Sequence, residues 1–309
     1  MKKVIITGAT GSIGVNFINL LLKDNIEITA IIRKNSANKN LLKCSEKIKI
    51  IECDLKDLDK LDNIDKDYDV FYHLAWDGTR GGTRDEVDRQ LANVDYTLKA
   101  IRLAKRVNCK KFIGVGSQAE YGRVEGKISP DTVARPETSY GITKLCASQL
   151  GKILASQLEI DYIWVRILSI YGPYDGQNTM IMSSIREMLK GVSPAYTKAE
   201  QKWDYLYVED MVKALELIGM YGKNGSIYCV GSGEQHALYE YIEEIRKQIN
   251  PDIKLRIGEK EYSTNQVMNL CADISNLVED TGFKPEINFK EGIKRTINWY
   301  KENSENEEN

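Results

Sequence analysis

The sequence predicts an α/β fold: a doubly wound parallel sheet with a smaller, mainly helical carboxyl-terminal lobe. Short apolar runs alternate with helical patterns in the first half of the chain, which is typical of a parallel sheet covered by helices on both faces. These runs are apolar at consecutive positions, as expected for strands buried on both sides. After residue 170 the loops lengthen and helical patterns dominate, which indicates the second lobe.

Six strands are predicted at 4–6, 28–32, 48–51, 70–73, 112–115 and 162–166, and helices lie between most of them at 13–23, 86–107 and 140–158. Five further helices are predicted at 180–190, 209–221, 238–248, 274–281 and 290–301. We therefore divide the chain into a dinucleotide-binding domain, residues 1–168 with about 204–230, and a substrate lobe, about 169–203 with 231–309.

Composition excludes several classes of function. The 309 residues carry 43 Lys and Arg against 45 Asp and Glu, a net charge of -2, which gives no indication of a nucleic-acid or membrane surface. No apolar run reaches the roughly 20 residues that span a bilayer, and we expect a cytoplasmic protein. Six scattered cysteines and only two histidines predict no metal site.

Three glycines, Gly8, Gly11 and Gly14, connect the first strand to the first helix. Glycine permits a tight turn and the close approach of a ligand, and a helix N-terminus offers free N–H groups to a pyrophosphate. A turn without a ligand is the alternative, but the position between strand and helix favours a dinucleotide site. The residues assigned to this part of the site are Gly8, Thr10, Gly11, Ser12, Ile13 and Gly14.

The end of the second strand indicates which dinucleotide binds. NAD sites usually place an acidic residue there, on the ribose hydroxyls, whereas a basic residue accommodates the 2′-phosphate of NADP. Here the strand ends in Arg33 and Lys34, with Ser36 as a further donor, so NADP(H) is favoured and NAD(H) is the alternative. The other predicted cofactor contacts follow the third and fourth strands: Asp54, Leu55, Leu74 and Ala75.

Tyr140 and Lys144 are four residues apart in a predicted helix and therefore lie on one face of it. A phenol titrates near 10, and a neighbouring ammonium group favours the phenolate, so we expect Lys144 to lower the pKa of Tyr140. Ser117 lies at the carboxyl end of the fifth strand, where it can bind the oxygen with which Tyr140 exchanges a proton. These three residues are the predicted catalytic group, and Tyr140 and Lys144 also belong to the predicted cofactor site.

Seven motifs occur along the chain: TGATGSIG, HLAW, GSQAEYG, YGITK, RILSIYGP, WDYLYVEDMVKA and TGFKPEINFKEGI. With them the chain resembles, over nearly its whole length, the extended short-chain dehydrogenase/reductases of the NAD-dependent epimerase/dehydratase family, which act on nucleotide-sugars. The resemblance implies a Rossmann fold, a Ser117–Tyr140–Lys144 triad, and a nucleotide-diphosphate sugar as substrate. It also implies a homodimer formed through helices 86–107 and 140–158. It further implies that the segment beginning at Arg166 leads into the sugar-nucleotide pocket.

Departures from the family pattern bear on the reaction. Dehydratases of the family carry acidic residues just after the catalytic Ser or Thr, where this chain has Gln118 and Ala119, and Glu120 is expected to face elsewhere. Dehydration is therefore disfavoured. Ser169 stands where the family often has Asn, and Trp203 where it often has Arg; Trp203 either stacks on a base or sugar or belongs to the core.

The segment RGGTR, residues 80–84, follows the fourth strand. It is either a mobile loop with Thr83 as a helix cap or a substrate loop whose arginines meet a diphosphate. The predicted substrate-binding residues are Trp76, Arg80, Gln118, Ser169, Asn178 and Trp203.

The first choice of function is an NADP-dependent reductase of 4-keto-deoxysugar nucleotides. The basic end of the second strand and the segment RILSIYGPYDGQN look most similar to bacterial ketoreductases that make deoxysugar nucleotides. The alternative is an NAD-dependent nucleotide-sugar 4-epimerase, which uses the same triad through a transient ketone. A third hypothesis, a non-catalytic NADP-sensing module, would have no need of the Ser-Tyr-Lys set.

Overall fold

The computed structural model describes residues 1–304. The strands are β1 (Lys3–Thr7), β2 (Glu27–Ile32), β3 (Ile48–Glu52), β4 (Val70–His73), β5 (Lys111–Ser117), β6 (Asp161–Ile167), β7 (Ser169–Tyr171), β8 (Ala195–Tyr196), β9 (Lys202–Trp203), β10 (Tyr205–Tyr207), β11 (Ile227–Val230), β12 (His236–Ala237) and β13 (Arg256–Ile257). The α-helices are α1 (Ser12–Lys23), α2 (Val87–Arg106), α3 (Ser139–Gln157), α4 (Met180–Leu189), α5 (Val208–Tyr221), α6 (Leu238–Ile249), α7 (Ser275–Thr281) and α8 (Phe289–Ser304).

Seven of these strands form one parallel sheet in the order β11-β6-β5-β4-β1-β2-β3. The predicted doubly wound parallel sheet is therefore confirmed, and β11 adds a seventh strand at one edge. The strand order reverses between β4 and β1. Ligands of such sheets bind beyond the carboxyl ends of the strands at this switch point, so the fold indicates where to look for a site.

Alternate residues of each strand face opposite layers of helices. On β1, Val4 and Ile6 belong to the buried cluster that includes residues of α1 and α5, whereas Ile5 belongs to the cluster that includes residues of α2 and α3. Helix α2 packs on α3, and α1 packs on α5. Burial on both faces explains why these strands are apolar at consecutive positions.

Most of the chain after β6 forms further helices with short strand pairs. Helix α6 packs on α4 and α8, and β7 pairs with β10, β9 with β12, and β8 with β13. The numerical division into a dinucleotide domain and a substrate lobe stays a prediction. Across residues 1–304 no helix combines the length and apolarity needed to cross a membrane, and the same residues contain no group of three potential metal ligands.

Candidate active site

A pocket of about 820 Å³ lies at the carboxyl ends of the central strands. Its walls come from the loops that follow β1, β2, β3 and β4 and from the ends of β5 and β6. The switch point between β4 and β1 is therefore at its centre. Size and position are those of a site for a small-molecule ligand.

The turn between β1 and α1 is tight at two of its glycines. Gly8 has a φ of +75°, and a Cβ there would lie 2.7 Å from the backbone nitrogen of Ala75. A Cβ at Gly14 would collide with the carbonyl oxygen of Gly8. Helix α1 has neither an acidic residue in its first turn nor a side-chain cap, so its first N–H groups are available to an anion. This turn fits the pyrophosphate of a dinucleotide.

The pocket continues from the glycine turn to the end of β2. Arg33 and Ser36 line it there, and the hydroxyls of Ser36 and Thr10 are hydrogen-bonded at 2.9 Å. Arg33 is exposed, and segment 33–45 contains no acidic residue. The pocket is lined by all the predicted cofactor residues, including Gly11, Ser12, Ile13, Asp54, Leu55, Leu74 and Ala75.

The predicted catalytic residues line the same pocket. Ser117 ends β5, Tyr140 is in the first turn of α3, and Lys144 is one turn further along. A Cβ at Gly141 would collide with the carbonyl oxygen of Ala119, so the start of α3 packs directly on the turn after Ser117. This close contact between a helix start and a strand end brings the three side chains together.

Lys144 is buried, with 3% of its surface exposed. Its Nζ donates to the carbonyl oxygen of Val115 at 2.6 Å and lies 3.7 Å from the centroid of the Trp76 ring. Burial lowers the pKa of Lys144 to about 7, although the negative charge of Glu120 opposes this effect. Burial therefore disfavours the charged form of this amine.

The pKa of Tyr140 is raised, contrary to the expectation that Lys144 lowers it. Burial raises the pKa of Tyr140, and the hydrogen bond with Ser117 and the charge of Arg84 offset only part of that effect. Lys144 Nζ donates to Val115 and lies 5.8 Å from the Tyr140 ring centroid, whereas the guanidinium carbon of Arg84 lies at 4.4 Å. Arg84, which the sequence analysis did not connect with Tyr140, is the nearer of these two cations.

Glu120 is fully buried and holds the backbone of the catalytic serine. One carboxylate oxygen accepts hydrogen bonds from the Ser117 N–H at 2.9 Å and from Trp164 Nε1 at 3.0 Å. The other oxygen accepts from Arg166 Nε at 2.7 Å, and the Arg166 guanidinium lies over the ring of Tyr121. Arg166 therefore belongs to this buried ion pair and does not line the pocket.

Two of the six predicted substrate residues, Trp76 and Arg80, line the pocket. Trp203 instead donates from Nε1 to the Ser169 hydroxyl at 2.7 Å and packs against a small apolar cluster. Its ring therefore contributes to packing beside the site. The structure places four of the six outside the pocket lining, and their contact with substrate stays a prediction: Gln118, Ser169, Asn178 and Trp203.

Two buried amides of α2, which the sequence analysis missed, hold the loop after β4. Gln90 accepts a hydrogen bond from Trp76 Nε1 at 2.8 Å and donates to the carbonyl oxygen of Gly78 at 2.7 Å. Asn93 accepts from the backbone N–H of Asp77 at 2.8 Å and donates to its carbonyl oxygen at 3.0 Å. The only signal of this role in the sequence is that Gln90 and Asn93 are three residues apart and therefore lie on one face of the helix.

The structure corrects the interpretation of Thr83 as a helix cap. Thr83 lies in a 3₁₀ turn, Gly81–Asp85, and its hydroxyl donates to the carbonyl oxygen of Arg80. Helix α2 begins later, at Val87. The Arg80 guanidinium reaches the carboxylate of Asp175 at 2.9 Å, a partner 95 residues away in the chain.

Comparison with known proteins places the chain in a family. The family described as "NAD dependent epimerase/dehydratase family" matches residues 4–231. A UDP-glucuronate 4-epimerase of Thermodesulfobacterium geofontis is 26% identical over 99% of this chain and 98% of its own length.

Solved structures agree with this match. A UDP-N-acetylglucosamine 4-epimerase from Methanobrevibacter ruminantium, in complex with UDP-N-acetylmuramic acid, is 28% identical with a TM-score of 0.88, covering 98% of this chain and 99% of that chain. A UDP-glucuronic acid 4-epimerase from Bacillus cereus, in complex with NAD, has the same fold, with 23% identity, a TM-score of 0.83, and coverage of 97% and 99%. As its motifs predicted, the chain belongs to the NAD-dependent epimerase/dehydratase family of nucleotide-sugar enzymes.

Proposed function

We propose that this protein is a nucleotide-sugar 4-epimerase that works with a retained NAD. The observation that carries the proposal is the convergence of Ser117, Tyr140 and Lys144 on the pocket that begins at the glycine turn. The two 4-epimerases from T. geofontis and M. ruminantium, which match over the full length, support this reaction, and the NAD in the B. cereus structure supports the cofactor. These likenesses favour the epimerase over the reductase that the sequence alone favoured.

In this proposal Tyr140 exchanges a proton with the hydroxyl at C4 of the sugar. It accepts the proton as the alcohol becomes a ketone and returns it as the alcohol re-forms with the opposite configuration. Ser117 hydrogen-bonds the same oxygen and keeps it in line with the phenol. The raised pKa of Tyr140 suits the donating step, and the Arg84 charge stabilises the phenolate that the accepting step requires.

Lys144 is proposed to hold the ribose next to the nicotinamide, since its buried amine lies one helical turn from Tyr140. When bound, the nicotinamide ring supplies a hydride acceptor and donor for the sugar carbon. The remaining contacts to the dinucleotide are proposed for the pocket residues around the glycine turn and the strand ends: Gly8, Thr10, Gly11, Ser12, Ile13, Gly14, Asp54, Leu55, Leu74 and Ala75.

The surroundings of Glu120 favour epimerisation over dehydration. Dehydration requires an acid that can exchange a proton with the sugar, and the positions directly after Ser117 are Gln118 and Ala119. The nearest carboxylate in this turn, Glu120, is 0% exposed and bound by Arg166. A carboxylate committed to a buried cation is not available as a general acid.

The second candidate function is an NADP-dependent 4-keto-deoxysugar nucleotide reductase. The specific observation in its favour is Arg33, an exposed guanidinium in the pocket at the position where NAD sites usually carry an acid. A guanidinium forms bidentate, charge-assisted bonds to a phosphate. The two functions therefore differ in which dinucleotide binds and whether it is consumed.

One experiment separates them. The purified protein is assayed with UDP-glucose and with UDP-N-acetylglucosamine, without added dinucleotide, and the products are resolved by chromatography. An epimerase forms the C4 epimer while the absorbance of reduced nicotinamide stays constant. A reductase leaves these sugars unchanged. In a second assay, with added NADPH and a 4-keto-6-deoxysugar nucleotide, it consumes the two in equal amounts. Arg33→Asp is the matched variant, because it weakens NADPH binding in a reductase and has little effect on a protein that uses NAD.

We also propose that the protein is a homodimer formed through α2 and α3. These helices pack together on one face of the sheet, and each leaves large apolar side chains in solvent. Such side chains on adjacent helices are typical of a surface that binds a second copy. The exposed fractions are 63% for Val87, 57% for Leu91, 52% for Ile142, 43% for Leu150 and 57% for Ile153.

A further inference from the structure

Arg80 and Asp175 form an ion pair between two loops that both line the dinucleotide pocket. The guanidinium and carboxylate are 2.9 Å apart, and their side chains are 57% and 10% exposed. The pair therefore lies where the pocket meets solvent. We propose that this pair, called the clasp below, closes over the bound dinucleotide and sets how slowly it is released. The inference rests on the proposed function only in taking the ligand of this pocket to be a dinucleotide.

The first arm of the clasp is a loop held by hydrogen bonds on both sides of Arg80. Arg80 lies between β4 and α2, and the loop before it is fixed by Gln90 and Asn93, which are 0% and 1% exposed. Gln90 also donates to the carbonyl oxygen of Thr83 at 2.8 Å, beyond Arg80. Because the loop is held on both sides of Arg80, its guanidinium is directed toward a limited region of space.

The second arm is the loop between β7 and α4, which is hydrogen-bonded to the start of α1. The carbonyl oxygen of Pro173 accepts hydrogen bonds from the Ser12 hydroxyl at 3.4 Å and from Asn16 Nδ2 at 3.2 Å. Two residues later, the Asp175 carboxylate accepts from the Gly176 N–H at 2.7 Å and the Thr179 hydroxyl at 2.9 Å. The carboxylate is therefore oriented before Arg80 reaches it.

Together the arms complete a ring around the pocket. Strands β1 and β4 are neighbours in the sheet, the first turn of α1 follows β1, and the second arm is bonded to that turn. The Arg80–Asp175 contact joins the second arm back to the loop after β4. A dinucleotide whose pyrophosphate lies at the start of α1 would be enclosed by this ring and could leave only after the ion pair opens.

The contact between Arg80 and Asp175 depends on the absence of a side chain at Gly176. A Cβ at this position would collide with the Arg80 guanidinium, and the backbone of Gly176 is not in the left-handed region. A larger residue here would displace Arg80 without adding backbone strain or changing a charge. This makes Gly176→Val a test of the contact itself, independent of the two ionisable groups.

Retention of the dinucleotide bears directly on the proposed reaction. An epimerase oxidises and re-reduces the sugar with one dinucleotide, which must stay bound through both hydride transfers, whereas a reductase must exchange it each turnover. The position of Arg80 also permits a simpler role, in which the guanidinium binds a phosphate directly and Asp175 competes with it. The two roles predict opposite signs for removal of the Asp175 charge.

The test measures the rate at which fluorescent NADH is released when the loaded protein is mixed with excess NAD, without any sugar. We expect Arg80→Ala, Asp175→Asn and Gly176→Val each to speed release about three- to tenfold. A change of this size is expected when one partly exposed ion pair is lost. High salt should speed release from the wild type and have a smaller effect on the three variants. Arg89→Ala is the matched control, because Arg89 pairs with Asp77 and Glu86 on the same loop without lining the pocket.

Wild-type release rates in all three variants would overturn the clasp. Slower release from Asp175→Asn would also overturn it, in favour of direct phosphate binding by Arg80. Circular dichroism and thermal unfolding of each variant identify any that fails to fold, and Arg80→Lys, which keeps the charge, should recover part of the slow release. Since no sugar is present, absence of epimerase activity would refute the proposed function and leave this measurement intact.

Discussion

Replacing Tyr140 with Phe is expected to abolish most turnover and leave dinucleotide binding in place. The hydroxyl is the proposed proton donor and acceptor, whereas the ring retains its edge contact with Trp76 and its contact with Arg84. Loss of a general acid or base typically lowers kcat by about 10²–10⁴. Steady-state rates and a fluorescence titration with NADH check both parts. A kcat close to that of the wild type would refute the assignment.

Glu120→Gln is expected to destabilise the protein strongly, although the change is isosteric. The amide can still accept from the Ser117 N–H, but Arg166, 2% exposed, would be left as a buried cation without its counter-ion. Breaking a buried pair in this way typically costs about 3–5 kcal/mol. Urea unfolding at neutral pH measures the loss in the free energy of unfolding.

The matched control for this substitution is Glu137→Gln. Glu137 pairs with Arg123 at 2.9 Å, but the side chains are 38% and 49% exposed, and exposed pairs contribute about 0–1 kcal/mol. Equal losses in the two variants would show that the Glu120–Arg166 pair is no more important than a surface contact.

At the scale of elements, local patterns were enough to predict six of the seven strands of the main sheet, the glycine turn, and the positions of Ser117, Tyr140 and Lys144 on one pocket. The position of Gly14 in the cofactor turn could be predicted because it lies where an apolar strand meets a helix. Tyr140 and Lys144 lie on one helix face because of the helical period. The functions of Glu120 and Asp175 depend on Arg166, 46 residues away, and Arg80, 95 residues away. Such partners are fixed by the sheet order and loop packing, so no local pattern in the chain identifies them.

The junction of β1 and α1 should be intolerant of even one added methyl group at Gly14. A Cβ there meets backbone atoms of Gly8 and Ala9, which cannot rotate away. We expect Gly14→Ala to lose about 1–3 kcal/mol of unfolding free energy through overpacking and to bind NADH more weakly. Gly82→Ala is the control, since a Cβ at Gly82 has no atom within 4 Å. Wild-type stability and affinity in Gly14→Ala would contradict this packing.

At the scale of the whole molecule, the α2–α3 surface should decide the state of assembly. Ile153→Glu places a charge among the exposed apolar side chains of both helices and should convert the dimer to a monomer, because burying an unpaired carboxylate in an interface is unfavourable. Light scattering gives the mass directly. Val133→Glu, at a 67% exposed site outside these helices, should leave the mass unchanged. A wild-type protein that is monomeric at working concentration would refute the proposed dimer.

The stability of the whole fold should fall in acid because His73 is buried in its neutral form. His73, 2% exposed on β4, is hydrogen-bonded through Nδ1 to the Thr7 hydroxyl at 2.8 Å and through Nε2 to the Thr97 hydroxyl at 3.3 Å. Burial, aided by the charge of Lys144, lowers its pKa from 6.5 to about 3. The unfolded chain therefore binds a proton below pH 6.5 that the native state does not bind until near pH 3.

The contribution of His73 is fully present above pH 6.5 and is lost progressively as the pH falls through this window. Between pH 7 and pH 5 the linkage amounts to about 2 kcal/mol of unfolding free energy. Urea unfolding of the wild type and of His73→Gln at the two pH values should show a loss smaller by about this amount in the variant. His236→Gln, which removes an imidazole that is 51% exposed, is the control. Equal losses in His73→Gln and the wild type would mean that the His73 imidazole is protonated as readily in the folded protein as in the unfolded chain.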